Sequence, residues 1–88
     1  MRLDKFLKVS RLIKRRTVAN EVSDQGRVLL NSKQAKPSAQ VKEGDEIAIE
    51  YFRKTLKVKV LKVPTGNVSI QESKDLYVVV EEIDNTID

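Results

Sequence analysis

The 88-residue chain contains no cysteine and no histidine, and it has only three glycines, two prolines, two tyrosines and two phenylalanines. Without cysteine, disulfides and thiolate metal sites are excluded, and without histidine the commonest metal ligand and general base is missing. These absences favour a reducing cytosol and weaken the case for catalysis. We therefore expect no cofactor and no bound metal ion.

Long hydrophobic runs are also lacking, because charged residues interrupt every apolar stretch. Arg2 and Asp4 stand where a secretory signal would need an apolar segment, and nothing approaches the roughly 20 apolar residues of a membrane-spanning helix. A chain of this length fits one small domain and leaves no room for a second, catalytic one. We expect a cytoplasmic monomer without a membrane partner.

Charge, by contrast, is abundant and unevenly distributed. The 17 Lys and Arg residues exceed the 13 Asp and Glu residues and give a net charge of +4. Residues 1–27 contain eight basic and three acidic side chains, residues 28–62 eight and four, and residues 63–88 one and six. Solubility requires charge but not segregated charge, whereas a polyanion requires a surface of one sign. The distribution therefore favours a nucleic acid as partner.

Two short helices are predicted in the basic first part of the chain. Apolar residues at positions 3, 6 and 7 follow the helical period and predict an amphipathic helix from about Leu3 to Ser10. A second helix of about eight residues is predicted between Thr17, a suitable N-cap, and Gly26, a suitable left-handed residue at its C-terminal end.

Beyond Gly26 the hydrophobic period changes to two, which indicates strands. We predict strands at Val28–Leu30, Gln34–Ala35, Ile47–Tyr51, Leu56–Val60 and Tyr77–Val80, with a tight turn at Asn31-Ser32 and a connection at 52–54. Pro64, Gly66 and Asn67 interrupt the pattern, and residues 64–75 give no clear prediction. The expected fold is α+β, with two short N-terminal helices packed on a small, mostly antiparallel sheet.

Several segments resemble a known family. In order, they are Arg2-Leu3-Asp4-Lys5-Phe6-Leu7, Arg15-Arg16-Thr17, Gln25-Gly26-Arg27-Val28-Leu29-Leu30-Asn31, Ala35-Lys36-Pro37-Ser38 and Gly44-Asp45-Glu46-Ile47. This order resembles the alpha-L RNA-binding domain, first described in a small-subunit ribosomal protein, and the match is strongest over residues 1–51. The resemblance implies an alpha-L domain over residues 1–63. Residues 64–88 are then a C-terminal extension, in which the run Tyr77–Val80 predicts a final strand and the carboxylates predict an acidic tail.

Within that superfamily the chain resembles the short stand-alone members, namely the fifteen-kilodalton heat-shock protein group and, more closely, the RqcP proteins. This resemblance implies a factor that binds the large ribosomal subunit, its rRNA and tRNA or peptidyl-tRNA, after a stalled ribosome has split. Such a factor supports RqcH-dependent, template-independent alanine tailing of the stalled chain. A role of rRNA binding in subunit recycling or assembly is the alternative.

The chain also departs from the family pattern at one turn. The family hairpin usually has Asn-Gly where this chain has Asn31-Ser32. Because positive φ is unfavourable for a residue with Cβ, the turn is either of another type or contains a strained serine.

Eight basic residues form the predicted RNA-binding site: Arg2, Lys5, Lys8, Arg11, Lys14, Arg15, Arg16 and Lys36. The first seven follow one another along the two helices and their link, so a continuous phosphate track is expected. The arginines at positions 2, 15 and 16 are preferred for specific contacts, because a guanidinium can bind phosphate bidentately. The lysines should add salt-sensitive affinity. Lys36 is included because the family resemblance places its loop beside the helices.

Other residues near this track have structural explanations. Asp4 can orient a neighbouring arginine, but an acid in a first helical turn also gains from the helix dipole, and we leave it outside the site. Phe6 and Tyr51 are assigned to the core. Lys57 and Lys59 are assigned to a solvated sheet face, with cross-strand pairing to Glu46 and Glu50.

Two other classes of function are weighed against RNA binding. The neighbouring carboxylates Asp45-Glu46 and Glu81-Glu82 have no histidine, cysteine or phosphate-binding loop beside them, so we expect no enzyme activity. Docking of the basic helices on an acidic protein is the third class.

Overall fold

Three helices and five strands occur in the part of the chain that the computed structural model describes, residues 1–51, 53–66 and 68–84. The helices are α1 (Leu3–Val9), α2 (Arg16–Asp24) and α3 (Ile70–Ser73), and the strands are β1 (Val28–Leu30), β2 (Lys33–Gln34), β3 (Glu46–Glu50), β4 (Lys54–Val60) and β5 (Tyr77–Asp84). All five strands join one antiparallel sheet in the order β2-β1-β3-β4-β5. The predicted α+β fold is confirmed. No helix in the described ranges is long and apolar enough to cross a bilayer.

One buried cluster joins the helices to the sheet. Its largest members are fully buried and come from α1 and from strands β1, β3 and β4: Leu3, Phe6, Leu7, Val28, Ile47, Ile49, Val58 and Val60. Ile47 lies opposite Val58 in the β3–β4 register, and each has one exposed neighbour, Glu46 before Ile47 and Lys59 after Val58. Burying each large aliphatic side chain contributes about 1.5 to 3 kcal/mol, so this cluster holds α1 in place.

The C-terminal end of α2 has the predicted left-handed glycine. Gly26 has φ +77°, its N–H donates to the Ser23 carbonyl at 3.0 Å, and the Arg27 N–H donates to the Val22 carbonyl at 3.1 Å. This pair of bonds is the Schellman arrangement, which satisfies carbonyls that the helix end would otherwise leave unpaired. The chain then turns directly into β1.

The turn between β1 and β2 has two consecutive residues in the left-handed region, Asn31 at φ 52° and Ser32 at φ 70°. Both polar atoms of the Asn31 side-chain amide form hydrogen bonds. Oδ1 accepts from the Glu46 N–H at 3.0 Å, and Nδ2 donates to Asp45 Oδ1 at 3.1 Å. Two positive φ values are typical of a type I′ hairpin turn, for which Asn-Gly is favoured. The turn therefore keeps the usual geometry, and the serine carries the strain.

Other local predictions are corrected by the structure. Helix α2 begins at Arg16 and follows an extended Arg15, so Thr17 lies inside the first turn and is not the N-cap. Strand β2 begins at Lys33, one residue earlier than predicted. Phe52 of the predicted connection, Asn67, and residues 85–88 of the predicted acidic tail lie outside the described residues.

Helix α3 was not predicted, although a signal was present. The Ser69 side chain accepts from the Glu72 N–H at 3.1 Å at the start of this helix. A serine followed three residues later by glutamate is the sequence signature of a helix N-terminus. The short helix leads into β5, which also continues past the predicted end at Val80.

Strand β5 forms one edge of the sheet and carries exposed valines. Val78, Val79 and Val80 are 46%, 49% and 51% exposed. The carboxylates that follow them pair with β4, Glu81 with Lys57 at 3.9 Å and Glu82 with Lys54 at 3.3 Å. These contacts replace the predicted pairing of Lys57 with acids of β3. Charged side chains beside an exposed edge oppose strand-to-strand association, and the bulge in the β4–β5 register adds to this protection.

Replacing Ser32 with glycine should stabilise the protein. Glycine adopts φ near +70° without the Cβ penalty, so we expect Ser32→Gly to raise the free energy of unfolding by about 1 kcal/mol, measured by urea titration. Ser38→Gly is the matched control, because position 38 has no positive φ and should gain nothing. A Ser32→Gly protein no more stable than wild type would show that the turn is not strained.

Candidate nucleic-acid interface

A buried carboxylate joins the start of α1 to the start of α2. The Asp4 side chain is only 3% exposed, whereas Arg2 and Arg16 on either side of it are each 48% exposed. Arg2 donates from Nε to Asp4 Oδ1 at 3.2 Å and from Nη2 to Oδ2 at 3.4 Å, and Arg16 Nε lies 3.5 Å from Oδ2. Two guanidinium groups are therefore oriented by one carboxylate.

Two neutral donors complete the surroundings of this carboxylate. The Lys5 N–H donates to Asp4 Oδ1 at 2.8 Å, and Asn20, one turn along α2 from Arg16, donates from Nδ2 to Oδ2 at 3.3 Å. A buried charge is costly unless it is paired and hydrogen-bonded, and both oxygens of Asp4 meet this condition. The arrangement links α1 to two successive turns of α2.

The backbone before α1 is fixed by a later loop. The Leu3 N–H donates to the Ala39 carbonyl at 2.8 Å, the Asp4 N–H donates to the Pro37 carbonyl at 3.1 Å, and Arg2 forms an isolated antiparallel bridge with Gln40. These bonds satisfy N–H groups that the first turn of a helix leaves without intrahelical partners. They also determine where the Arg2 side chain leaves the backbone.

The ionisation of Asp4 follows from its neighbours. Burial raises the pKa of the Asp4 carboxyl, but hydrogen bonds from Asn20 and Arg2, the charge of Arg16 and the Lys5 N–H outweigh burial. The pKa therefore lies below its usual value of 3.8. Asp4 is charged at neutral pH, and the three side chains of Arg2, Asp4 and Arg16, which we call the arginine clamp, carry a net charge of +1.

The structure brings three predicted site residues into one groove. Arg2, Lys5 and Arg16 line an open groove of about 620 Å³, together with Met1, Gln40, Val63, Pro64 and Thr65. The two arginines keep donors besides those used on Asp4, because a guanidinium has five N–H groups. A phosphate or a base edge can therefore bind here while the clamp stays intact.

Four further predicted residues do not line this groove and lie on α1 and on the link to α2. Lys8, Arg11, Lys14 and Arg15 are all exposed. Arg11 has φ 64°, a left-handed conformation that ends α1 and turns the chain into the link. The link is tied to the sheet by Tyr51, whose hydroxyl donates to the Leu12 carbonyl at 2.8 Å. Burial and the neighbouring Tyr77 raise the pKa of Tyr51, so this donor stays protonated.

Lys36 lies apart from this groove. It is exposed and borders a different groove, of about 280 Å³, at the C-terminal end of α2 beside Gly26 and Gln34. Lys36 does not share a groove with the arginine clamp, and its place in the binding site stays a prediction.

The residues that sequence reasoning left outside the site fall into two groups. Asp4 was weighed as an orienting residue but assigned to the helix dipole, and its burial between two arginines now gives it the orienting role. Asn20, Gln40 and the segment 63–65 were not considered. Nothing in their local sequence marks them, because they reach the clamp only through the packing of distant segments.

Comparison with known proteins gives one family match and several close relatives. The S4 domain model matches residues 1–47. The chain is 51% identical over 84 residues to the RQC P-site tRNA stabilizing factor of Bacillus subtilis strain 168, covering 93% of this chain and 94% of that protein. It is 38% identical over 78 residues to the protein of the same name from Helicobacter pylori strain J99, covering 89% and 93%.

A solved structure has the same architecture. The trimeric structure of Vibrio cholerae Heat Shock Protein 15 superposes with a TM-score of 0.83 at 29% identity, covering 91% of this chain and 81% of that one. The similarity therefore extends beyond residues 1–47 and includes most of the C-terminal part of the chain.

Neutralising Asp4 should weaken RNA binding although it makes the protein more basic. Asp4→Asn keeps the size of the side chain but removes the charge that orients both arginines, so we expect about tenfold lower affinity for bulk tRNA in filter-binding assays. Simple long-range electrostatics predicts the opposite sign, since the net charge rises by one.

Asp24→Asn provides the control for that measurement. Asp24 is exposed at the end of α2, and its neutralisation changes the net charge equally without touching the clamp. We expect its affinity to equal or slightly exceed that of wild type. If both variants bind RNA more tightly than wild type, then net charge and not orientation governs binding.

The stability that Asp4 contributes should depend on pH in a defined direction. Its pKa is lower in the folded protein than the usual 3.8, so its contribution is fully present above about pH 4 and is lost as the pH falls through the folded value. Urea unfolding of wild type and Asp4→Asn should show a difference in unfolding free energy that is constant near neutrality and shrinks below pH 4. A difference that does not change with pH would contradict this account.

Proposed function

The chain belongs to the S4-domain family, and we propose that it is a ribosome-associated quality control factor that stabilises P-site tRNA on a large ribosomal subunit carrying a stalled nascent chain. Support comes from the relatives named RQC P-site tRNA stabilizing factor, which match over nearly their whole length. The structural observation that carries the proposal is the arginine clamp, a pair of half-exposed guanidinium groups held by a buried carboxylate at the basic face.

The mechanism is positioning without chemistry. Arg2 and Arg16 provide fixed donors for RNA, and the exposed residues Lys5, Lys8 and Lys14 supply charge that attracts the phosphate backbone. Because the donors are oriented before RNA arrives, little side-chain entropy is lost on binding. By binding tRNA and rRNA together in one arrangement, the protein favours the ribosomal state in which it binds most tightly.

We further propose the place of this protein in tailing. It binds the free large subunit in the cytoplasm with peptidyl-tRNA, and it supports RqcH-dependent alanine tailing by keeping that tRNA in place between additions. In this proposal the chain itself catalyses no reaction. It acts as a binding factor and not as an enzyme. Two alternative functions compete with this proposal. One is rRNA binding in subunit recycling or assembly, and the other is docking on an acidic protein.

The test is a pull-down from cells in which ribosome stalling has been induced. Tagged wild type should enrich large-subunit rRNA, tRNA and alanine-tailed chains over free small subunits. We expect the double variant Arg2→Ala plus Arg16→Ala to enrich these molecules about tenfold less than wild type does, because both oriented guanidinium groups are gone. Lys42→Ala plus Lys74→Ala is the matched control, since it removes the same charge from two exposed residues outside the groove.

Different results would point to the alternatives. Enrichment of immature subunits without tailed chains would favour assembly, and ribosome association that survives nuclease and high salt would favour docking on a protein. Equal loss in the double-arginine variant and in the lysine control would show that charge alone, and not the clamp, is responsible.

A further inference from the structure

The groove at the arginine clamp has an apolar side that phosphate binding does not require. It is lined by the basic side chains of Arg2, Lys5 and Arg16 and by Val63 and Pro64, which we call the apolar rim, and Met1, Gln40 and Thr65 complete the lining. Phosphate oxygens need donors and positive charge, and aliphatic surface offers them nothing. The volume of about 620 Å³ falls within the range of roughly 300 to 1,000 Å³ found for sites of small organic ligands.

The rim is held in place by bonds to the rest of the fold. The Leu61 and Lys62 N–H groups donate to the Leu76 carbonyl at 2.8 and 3.3 Å, which ties the chain after β4 to the start of β5. Val63 packs against the main core, and Pro64 is half-buried. The apolar rim is therefore a fixed part of the structure.

The polar residue Gln40, which also lines the groove, is held in place as well. Gln40 is bridged to Arg2 through the backbone, and its Oε1 accepts from the Met1 nitrogen at 3.2 Å. A glutamine amide combines a carbonyl acceptor with two N–H donors, which matches the paired donors and acceptors on the edge of a base. The groove thus combines an apolar wall, an amide and two guanidinium groups.

We infer that this groove binds an unpaired nucleobase of the RNA, which packs against Val63 and Pro64 and meets Gln40 at its edge while Arg2 and Arg16 hold the adjoining phosphates. RNA-binding proteins commonly recognise bases that are splayed out of loops and bulges, by stacking and by hydrogen bonds to base edges. This inference rests on the RNA binding proposed above. It adds residues 63–65, outside the stretch that the S4 domain model matches, to the binding site.

Stem-loop RNAs that differ at one position provide the test. Four RNAs each carry one unpaired nucleotide in a bulge, which is adenosine, guanosine, cytidine or uridine. A fifth RNA has an abasic residue at the same position. We expect wild type to bind at least one of the four intact RNAs about tenfold more tightly than the abasic RNA. Gln40→Ala, which removes the amide, and Thr65→Trp, which fills the groove, should each reduce that ratio to near one.

Gln71→Ala is the control, because Gln71 is exposed on α3 and does not line the groove. It should keep the wild-type ratio. The inference is overturned if wild type binds all four intact RNAs no better than the abasic one, or if both groove variants keep the wild-type preference. Failure of the proposed RNA binding looks different, since wild type would then bind none of the RNAs, or Arg2→Ala plus Arg16→Ala would bind them all as tightly as wild type.

Discussion

The ion pairs and hydrogen bonds of the buried Asp4 carboxylate are the contacts on which the geometry of the basic face depends. The carboxylate is taken out of water, and it recovers that cost through two guanidinium groups, an amide and a backbone N–H. The same contacts link α1 to the start of α2. Structure and recognition are therefore coupled here, because the group that joins the two helices also orients the donors that RNA would meet. The negative charge of Asp4 lowers the net charge of the basic surface, but it orients the side chains of Arg2 and Arg16.

The sequence predicts the elements of this fold well and the contacts between distant elements poorly. Apolar residues at helical and alternating spacing located both N-terminal helices and most strands, because burial against one core sets those periods. Asp4 was misjudged since its position in a first helical turn already has a sufficient local explanation. Besides Arg2 and the Lys5 N–H, its partners Arg16 and Asn20 come from α2, twelve and sixteen residues away, and no local pattern predicts that approach. The prediction for Thr17 is wrong for a simpler reason, since this good capping residue is the second residue of a helix that begins at Arg16.

The C-terminal part of the chain also contributes to the face formed by the first 47 residues. Val63 and Pro64, in the segment after β4, line the same groove as Arg2 and Arg16 of the arginine clamp. The sequence offered only breaks in pattern there, and the S-x-x-E signature at Ser69 was the one usable signal. Residues 63–65, at the junction between the predicted domain and its predicted extension, therefore line the groove together with residues from the start of the chain. Residues 1–47 alone would present the arginines on an open surface.

The exposed edge of β5 has a consequence for handling the purified protein. Its valines are shielded from a second strand mainly by the carboxylates of Glu81 and Glu82, and that shielding is electrostatic. Concentrated salt, the usual means of stripping RNA from a basic protein, shortens the range of every charge on the molecule. The condition that frees the basic face therefore also leaves the acidic edge least protected. Release of nucleic acid therefore requires high salt, whereas protection of the β5 edge against association requires low salt.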